Sequence, residues 1–467
     1  MADHLTRLRQ VIGGEVIRQG DAAYDEARRV WNGAIDRSPA AIVRCAEVSD
    51  VVAAVRFARE RDLLVSVRGG GHGVGGHAIC DGGLVIDLSP MKSIEVEPSQ
   101  RTARAEAGVL WGEFDHETQA FGLATTGGVV THTGIAGLTL GGGIGWLMRK
   151  HGATVDNLLS AQVVTAAADV VTASAKEHPD LFWAIRGGGG NFGIVTSFEY
   201  RLHAIGPHVL AGPIFHALDD APELLRFYRD FIANAPDELT TIFNLRRTPS
   251  LPLLPPELHG RPAAMIVVCY AGTITEGEAV LRPLRAFGSP LFDAIQATPY
   301  VSLQAMFDAT VPHGWHYYWK SAELPPLSDG AIETLAEHAA AQTSPLSYCI
   351  TFHLGGAVSR VEAEETAFSQ RDATHNVNIN GVWTEDDEEP ERHAEWTRRF
   401  HAALEPFACE RVYVNFLSDE GAERVRSAYG DKKYSRLTAL KEKWDPTNFL
   451  RHNQNIEPRR TSVAGQA

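Results

Sequence analysis

His72 lies in a glycine run, Arg68-Gly69-Gly70-Gly71-His72-Gly73, directly after an apolar stretch, Leu63–Val67, that reads as a short buried strand. Glycines let the backbone turn tightly and approach a bulky ligand, which a Cβ would prevent. A histidine held there can be a metal ligand, a base or a covalent anchor, or it can simply be satisfied within the turn. The metal reading is weak. His72, His77 and Cys80 stand at a His-x4-His-x2-Cys spacing that matches no common zinc pattern, with no fourth ligand nearby, so no metal is assigned.

Two more glycine clusters bear on ligand chemistry. Gly141, Gly142 and Gly143, with Gly134, Gly137 and Gly145 around them, are expected to offer unhindered backbone N–H groups to a pyrophosphate. A literal GxGxxG spans Gly188–Gly193 and invites a dinucleotide-fold reading, which requires a strand before it and a helix after it. Here the order is reversed. His178–Arg186 reads as a helix with Pro179 in its first turn, and Gly193–Tyr200 reads as a strand.

In the second half, Asn376-Val377-Asn378-Ile379-Asn380 alternates strictly, so a strand puts three amides on one face. That face is either a ligand-facing cleft or an exposed polar surface. His316–Ser321 is another strand with mixed faces: His316, Tyr318 and Lys320 on one, Tyr317 and Trp319 on the other. Tyr318 and Lys320 are candidates for a substrate pocket; alternatively the aromatics are core and Lys320 an edge charge.

The elements that must position these residues change texture near position 205. Before it, a helix over Asp50–Asp62 alternates with strands at Leu63–Val67, Leu84–Leu88 and Ala103–Ala107, punctuated by dense glycine. After it, helices over Ala221–Ala233 and Ala331–Gln342 alternate with strands at Ala264–Tyr270 and Tyr348–His353, as in an α+β domain with an antiparallel sheet. Pro249–Pro262 reads as a loop, Thr384–Glu391 as a solvated acidic segment and 461–467 as a tail. The 467 residues suffice for two domains. A net charge of −15 argues against nucleic acid or anionic membrane as partners. Five scattered cysteines give no disulfide or iron–sulfur framework. No segment has the apolar length of a membrane span and the start lacks a secretory core, so the cytoplasm is expected. No Gly-x-Ser-x-Gly elbow supports a serine hydrolase.

Taken together, four motifs resemble the berberine-bridge-enzyme-like branch of the vanillyl-alcohol-oxidase, or PCMH-type FAD-binding, flavoproteins. They are the Arg68–Gly73 loop; Gly141–Gly145 followed by Arg149-Lys150 and Asp156-Asn157; Leu181–Thr196; and Lys441–Phe449 with Asn453 and Asn455. The resemblance covers 38–203 and 411–458. It implies a two-domain α+β fold, with FAD bound by 1–205 completed by 411–460, and substrate bound by 206–410. It also implies FAD joined through its 8α-methyl to His72. Flavin contacts are then expected from Arg68, Gly69, Gly70, Gly71, Gly73, Thr133, Gly134, Gly137, Leu138, Gly141, Gly142, Gly143, Ile144, Asp156, Asn157, Val195, Asn415, Asn453 and Asn455.

Many relatives add a cysteine bond eleven residues before the first of the three glycines. That position is Val130 here, so attachment through His72 only is expected. The Tyr413-x-Asn415-Phe416 stretch resembles a family strand whose fourth residue is a tyrosine base in some sugar and cannabinoid oxidases; Phe416 cannot take that role. The strand matching 376–380 carries a catalytic carboxylate in some members, and none occurs here. Tyr318, Lys320, Asn378 and Tyr413 remain as catalytic candidates.

The activity implied is hydride transfer from a small alcohol, amine or phenolic metabolite to FAD, with O₂ as acceptor and hydrogen peroxide as product. Thr133 falls at the oxygen-pocket position. The alternatives are a dehydrogenase using another acceptor, or a flavin-carrying binder without turnover. A monomer or homodimer is expected.

Overall fold

The computed structural model describes residues 2–252 and 254–459; the expected tail at 461–467 lies outside the described residues. Strands β1 (Glu15–Arg18), β2 (Ala41–Arg44), β3 (Val65–Arg68) and β4 (Leu84–Asp87) form a first sheet in the order β1-β2-β4-β3. β2, β4 and β3 run parallel, and the helix Val48–Arg59 supplies the crossover that parallel strands need. β4 is buried throughout, which explains its unbroken apolar start.

Next come β5 (Ile94–Glu97), β6 (Thr102–Glu106), β7 (Leu123–Ala124), β8 (Leu158–Val164), β9 (Val170–Ser174), β10 (Ile194–Arg201) and β11 (His203–Ala204). Five of these make an antiparallel sheet, β5-β6-β10-β8-β9, and β7 pairs with β11. The first two sheets share one core, including Val55, Ile86, Phe198 and Leu437. Leu437 belongs to the helix Ala422–Trp444, so the C-terminal segment returns to the first half of the chain. Lys441, buried there, donates to the carbonyls of Asn191 and Leu450 and pairs with Asp445 at 2.8 Å.

The remaining strands are β12 (His208–Ala217), β13 (Leu239–Arg247), β14 (Pro262–Tyr270), β15 (Phe292–Asp293), β16 (Gln296–Pro299), β17 (His316–Leu324), β18 (Tyr348–His353) and β19 (His375–Trp383). They build one antiparallel sheet in the order β15-β12-β14-β13-β18-β19-β17, with β16 beside β12. Helices Ala221–Ile232, Asp329–Ala340 and Glu391–Leu404 cover one face, burying Phe243, Leu245, Val377 and Ile379 with Leu225, Leu335 and Phe400. The other face looks toward the first half of the chain.

One local expectation is corrected. Tyr413–Phe416 is not a strand: Val414–Phe416 is a single 3-10 turn. Its polar groups are tied to the neighbouring glycine segment. Asn415 Nδ2 donates to the Leu138 carbonyl, and the Tyr413 hydroxyl accepts from the Gly143 N–H.

Candidate active site

A cavity of about 380 Å³ lies between the glycine loops of the first half and the uncovered face of the large sheet. Its first wall is the loop after β3. The Gly70 Cα presses on Gly134, where a Cβ would come within 2.4 Å of the Gly134 nitrogen, so two loops are clamped together by the lack of side chains. Among the described residues, no N–H from Gly69 to Gly73 meets a protein acceptor. All five residues line the cavity, and successive N–H groups without protein acceptors are the raw material of an anion-binding concavity. Cβ positions built at Gly73, Gly137 and Gly190, all lining the cavity, would meet nothing within 4 Å.

His72 stacks on Trp31 at 4.2 Å, and Trp31 stacks in turn on Tyr317 at 3.8 Å. His132 lies 4.9 Å from His72 and 5.0 Å from His313. Burial, followed by these two imidazoles, pushes the His72 pKa well below its ordinary value, so the ring is neutral at neutral pH. Its Nε2 is buried and has no protein partner. A neutral, unpaired imidazole nitrogen is a competent nucleophile.

The opposite wall is a grid set by strand register. Asn244, Ile350 and Asn378 lie in one row across β13, β18 and β19. Arg246, Tyr348, Asn380 and Trp319 lie in the next, which extends to β17. All of them line the cavity. The carbonyl oxygens of the Asn244, Asn378 and Asn380 side chains are buried without partners, so the amides face ligand space rather than solvent. Asn376, one step further along, instead donates to the buried Glu323 carboxyl, whose pKa burial raises to about 8.

The sequence matches the family model described as FAD binding domain over residues 39–174, and the one described as Berberine and berberine like over 412–457. An FAD-linked oxidoreductase of Dictyostelium discoideum is 33% identical over 96% of this chain and 95% of its own. The (R)-6-hydroxynicotine oxidase of Paenarthrobacter nicotinovorans is 32% identical over 96% and 97%. The chain belongs to the berberine-bridge-like FAD-linked oxidoreductases. The crystal structure of 6-hydroxy-D-nicotine oxidase from Arthrobacter nicotinovorans superposes with a TM-score of 0.87 at 31% identity, covering 96% of this chain and 98% of that one. The two-domain PCMH-type α+β fold follows, and so does an FAD-linked oxidoreductase as the class of enzyme.

Within this berberine-bridge-like frame the expected site residues fall into two groups. Gly69, Gly70, Gly71, His72, Gly73, Thr133, Gly134, Gly137, Leu138, Ile144, Val195, Asn378, Tyr413, Asn415 and Asn453 all line the cavity. The others do not. Arg68 is a buried strut, pairing with Asp87 at 2.6 Å and donating to the Ala27 carbonyl. Asp156 accepts two bonds from Arg371, and Asn157 Nδ2 donates to the carbonyls of His151 and Ala153. Asn455 lies off the lining with its Oδ1 buried and unpaired.

The expectation of three free N–H groups at Gly141–Gly143 is corrected. They donate to the Gly137 carbonyl, the Thr139 carbonyl and the Tyr413 hydroxyl respectively. The expected face of β17 is corrected as well. Tyr318 and Lys320 pair across β19 with Gly381 and Ile379, on the helix-covered side. Lys320 bonds Glu420 at 2.5 Å there, and Tyr318 lies near the Arg398 guanidinium. Trp319, on the other face, is the residue that reaches the cavity.

Sequence reasoning missed Asn244, Arg246, Tyr348, Trp31 and the neighbours of His72. For the first two a signal existed: Asn244-x-Arg246 places two polar residues at period two in the strand Leu239–Arg247, as the amides of β19 are placed.

Proposed function

We propose that the protein is an oxidase that removes hydride from a small alcohol, amine or phenolic metabolite, holding FAD by one covalent bond through His72 and passing electrons to O₂. The observation that carries this reading is the loop Gly69–Gly73, with unpartnered N–H groups and the unpaired His72 nitrogen facing one cavity. Those N–H groups fit a pyrophosphate. The bare positions at Gly73, Gly137 and Gly190 fit a cofactor lying against backbone. Bound FAD supplies a two-electron acceptor. On this reading residues 1–205 with 411–460 bind flavin and 206–410 bind substrate.

Single attachment is supported because none of the five cysteines lines the cavity, while Val130 does. Asn378 and Asn380 offer amide groups to orient a donor, and the apolar Ile350, Phe352 and Trp319 exclude water around it. Tyr413 lines the cavity, but burial raises its pKa and its oxygen accepts from both Gly143 and Asn415. It is therefore a positioning residue for Asn415 and a poor base. Among the described residues no carboxylate lines the cavity, which favours a donor that needs no strong base, such as an unprotonated amine. Thr133, on the lining, is the residue we assign to oxygen access.

The test is denaturing electrophoresis with in-gel flavin fluorescence of wild type and His72→Ala. Fluorescence should stay with the wild-type band and leave the variant entirely. A yellow wild-type preparation that loses all flavin on denaturation would remove the covalent bond from the reading and keep the cofactor. Anaerobic mixing with candidate donors then separates an enzyme, whose flavin bleaches, from a binder, whose flavin does not.

A further inference from the structure

Four arginines are buried among the described residues: Arg68, Arg149, Arg246 and Arg371. Three have terminal guanidinium nitrogens bonded to protein acceptors. Arg68 pairs with Asp87 and Arg371 with Asp156. Arg149 donates to the carbonyls of Leu239, Leu354 and Ala235. Arg246 differs. Its Nε donates to the adjacent Arg247 carbonyl at 3.1 Å, its guanidinium lies 5.0 Å from the Tyr348 ring centre, and it has no ion pair among the described residues. It is only 5% exposed, and no Asp, Glu or Lys shares the cavity lining with it.

A buried, unpaired cation is costly, and a protein tolerates one where a ligand completes it. The guanidinium presents paired donors in a plane, which matches a carboxylate better than any neutral group. The neighbours extend the match. Asn244 has neither its Nδ2 nor its Oδ1 partnered, and Tyr348 borders Arg246 in the same row.

We infer that Arg246 is the anchor for an anionic substrate: the metabolite oxidised in this cavity carries a carboxylate that pairs with the Arg246 guanidinium beside Asn244. The substrate class narrows to small organic acids whose oxidisable carbon bears a hydroxyl or amino group. That the substrate is oxidised rests on the oxidase reading; that it is anionic rests on the cavity alone.

The experiment uses the FAD-loaded full chain at neutral pH. Acetate, benzoate and phenylacetate are titrated against their neutral amides, followed by heat of binding and by perturbation of the flavin spectrum. At least one acid should bind about ten- to a hundredfold more tightly than its amide. Arg246→Met should abolish that preference and Arg246→Lys should restore part of it. Equal binding of acids and amides by wild type, binding of neither, or a preference that survives in Arg246→Met would each overturn the assignment. If Arg246→Met does not fold, the wild-type comparison and the Lys variant still decide. The heat measurement does not depend on turnover. A protein that prefers acids but whose flavin no donor bleaches therefore keeps the anion site and loses the oxidase reading.

Discussion

Two glycine runs that look alike in sequence treat their N–H groups in opposite ways. Gly69–Gly73 leaves its N–H groups without protein acceptors beside a cavity, whereas Gly141–Gly143 donates all three of its N–H groups within the protein. The second run is filled in around all three of its Cα atoms. A Cβ at Gly141, Gly142 or Gly143 would come within 1.9 Å of Asn415, 2.2 Å of Phe368 or 2.1 Å of Thr154. A Cβ at Gly69 or Gly70 would also collide, with Ala107 at 2.8 Å or Gly134 at 2.4 Å, so the runs differ in their open N–H groups and in the bare position at Gly73. Glycine content marks close approach, and only the partner of that approach tells function from structure.

The contrast predicts separable defects. Gly143→Ala has the largest expected effect on stability, because φ is +83° there and the Cβ collides with Thr154. A loss of about 2–5 kcal/mol is expected in flavin-free protein, measured by denaturant melts. A variant as stable as wild type would show that this run is not a packing element.

Tyr413→Phe comes next. It leaves the Gly143 N–H and Asn415 Nδ2 without their shared acceptor, at a cost of about 1–3 kcal/mol in the same assay. If the variant instead retains stability and loses only turnover, Tyr413 acts in chemistry and the positioning role is wrong.

Gly73→Ala has the smallest expected effect on folding, within about 0.5 kcal/mol, because its Cβ meets nothing. Flavin content should nevertheless drop, with affinity weakened roughly tenfold or more, read by flavin absorbance per mole of refolded protein. Unchanged flavin content in a stable Gly73→Ala protein would mean that the ligand does not lie against this loop.

Much of the fold was legible locally. Tyr348–His353 occupies the strand expected from its composition, and the helix and strand flanking Gly187–Gly193 occur as Pro179–Ile185 and Ile194–Arg201. These read well because proline, glycine and apolar periodicity act within a few residues. β17 shows the limit. Its alternation was plain, but Tyr317 and Trp319 look as suited to a core as Tyr318 and Lys320 look to a pocket. Which face meets the cavity depends on the helix Glu391–Leu404 covering the other, about 70 residues later in the chain.

The sequence by itself determined the family, the alternation of the amide strand and the attachment candidate His72, since each is carried by residue types at short fixed spacing. Tertiary structure alone decided three further points: which glycine run keeps its N–H groups open, which face of β17 reaches the cavity, and that Arg246 stands among amides without a counter-charge. The physical reason is common to all three. A hydrogen-bond donor, a strand face or a charge is functional according to what remains unpaired beside it, and its neighbours arrive from strands and loops far away in the chain.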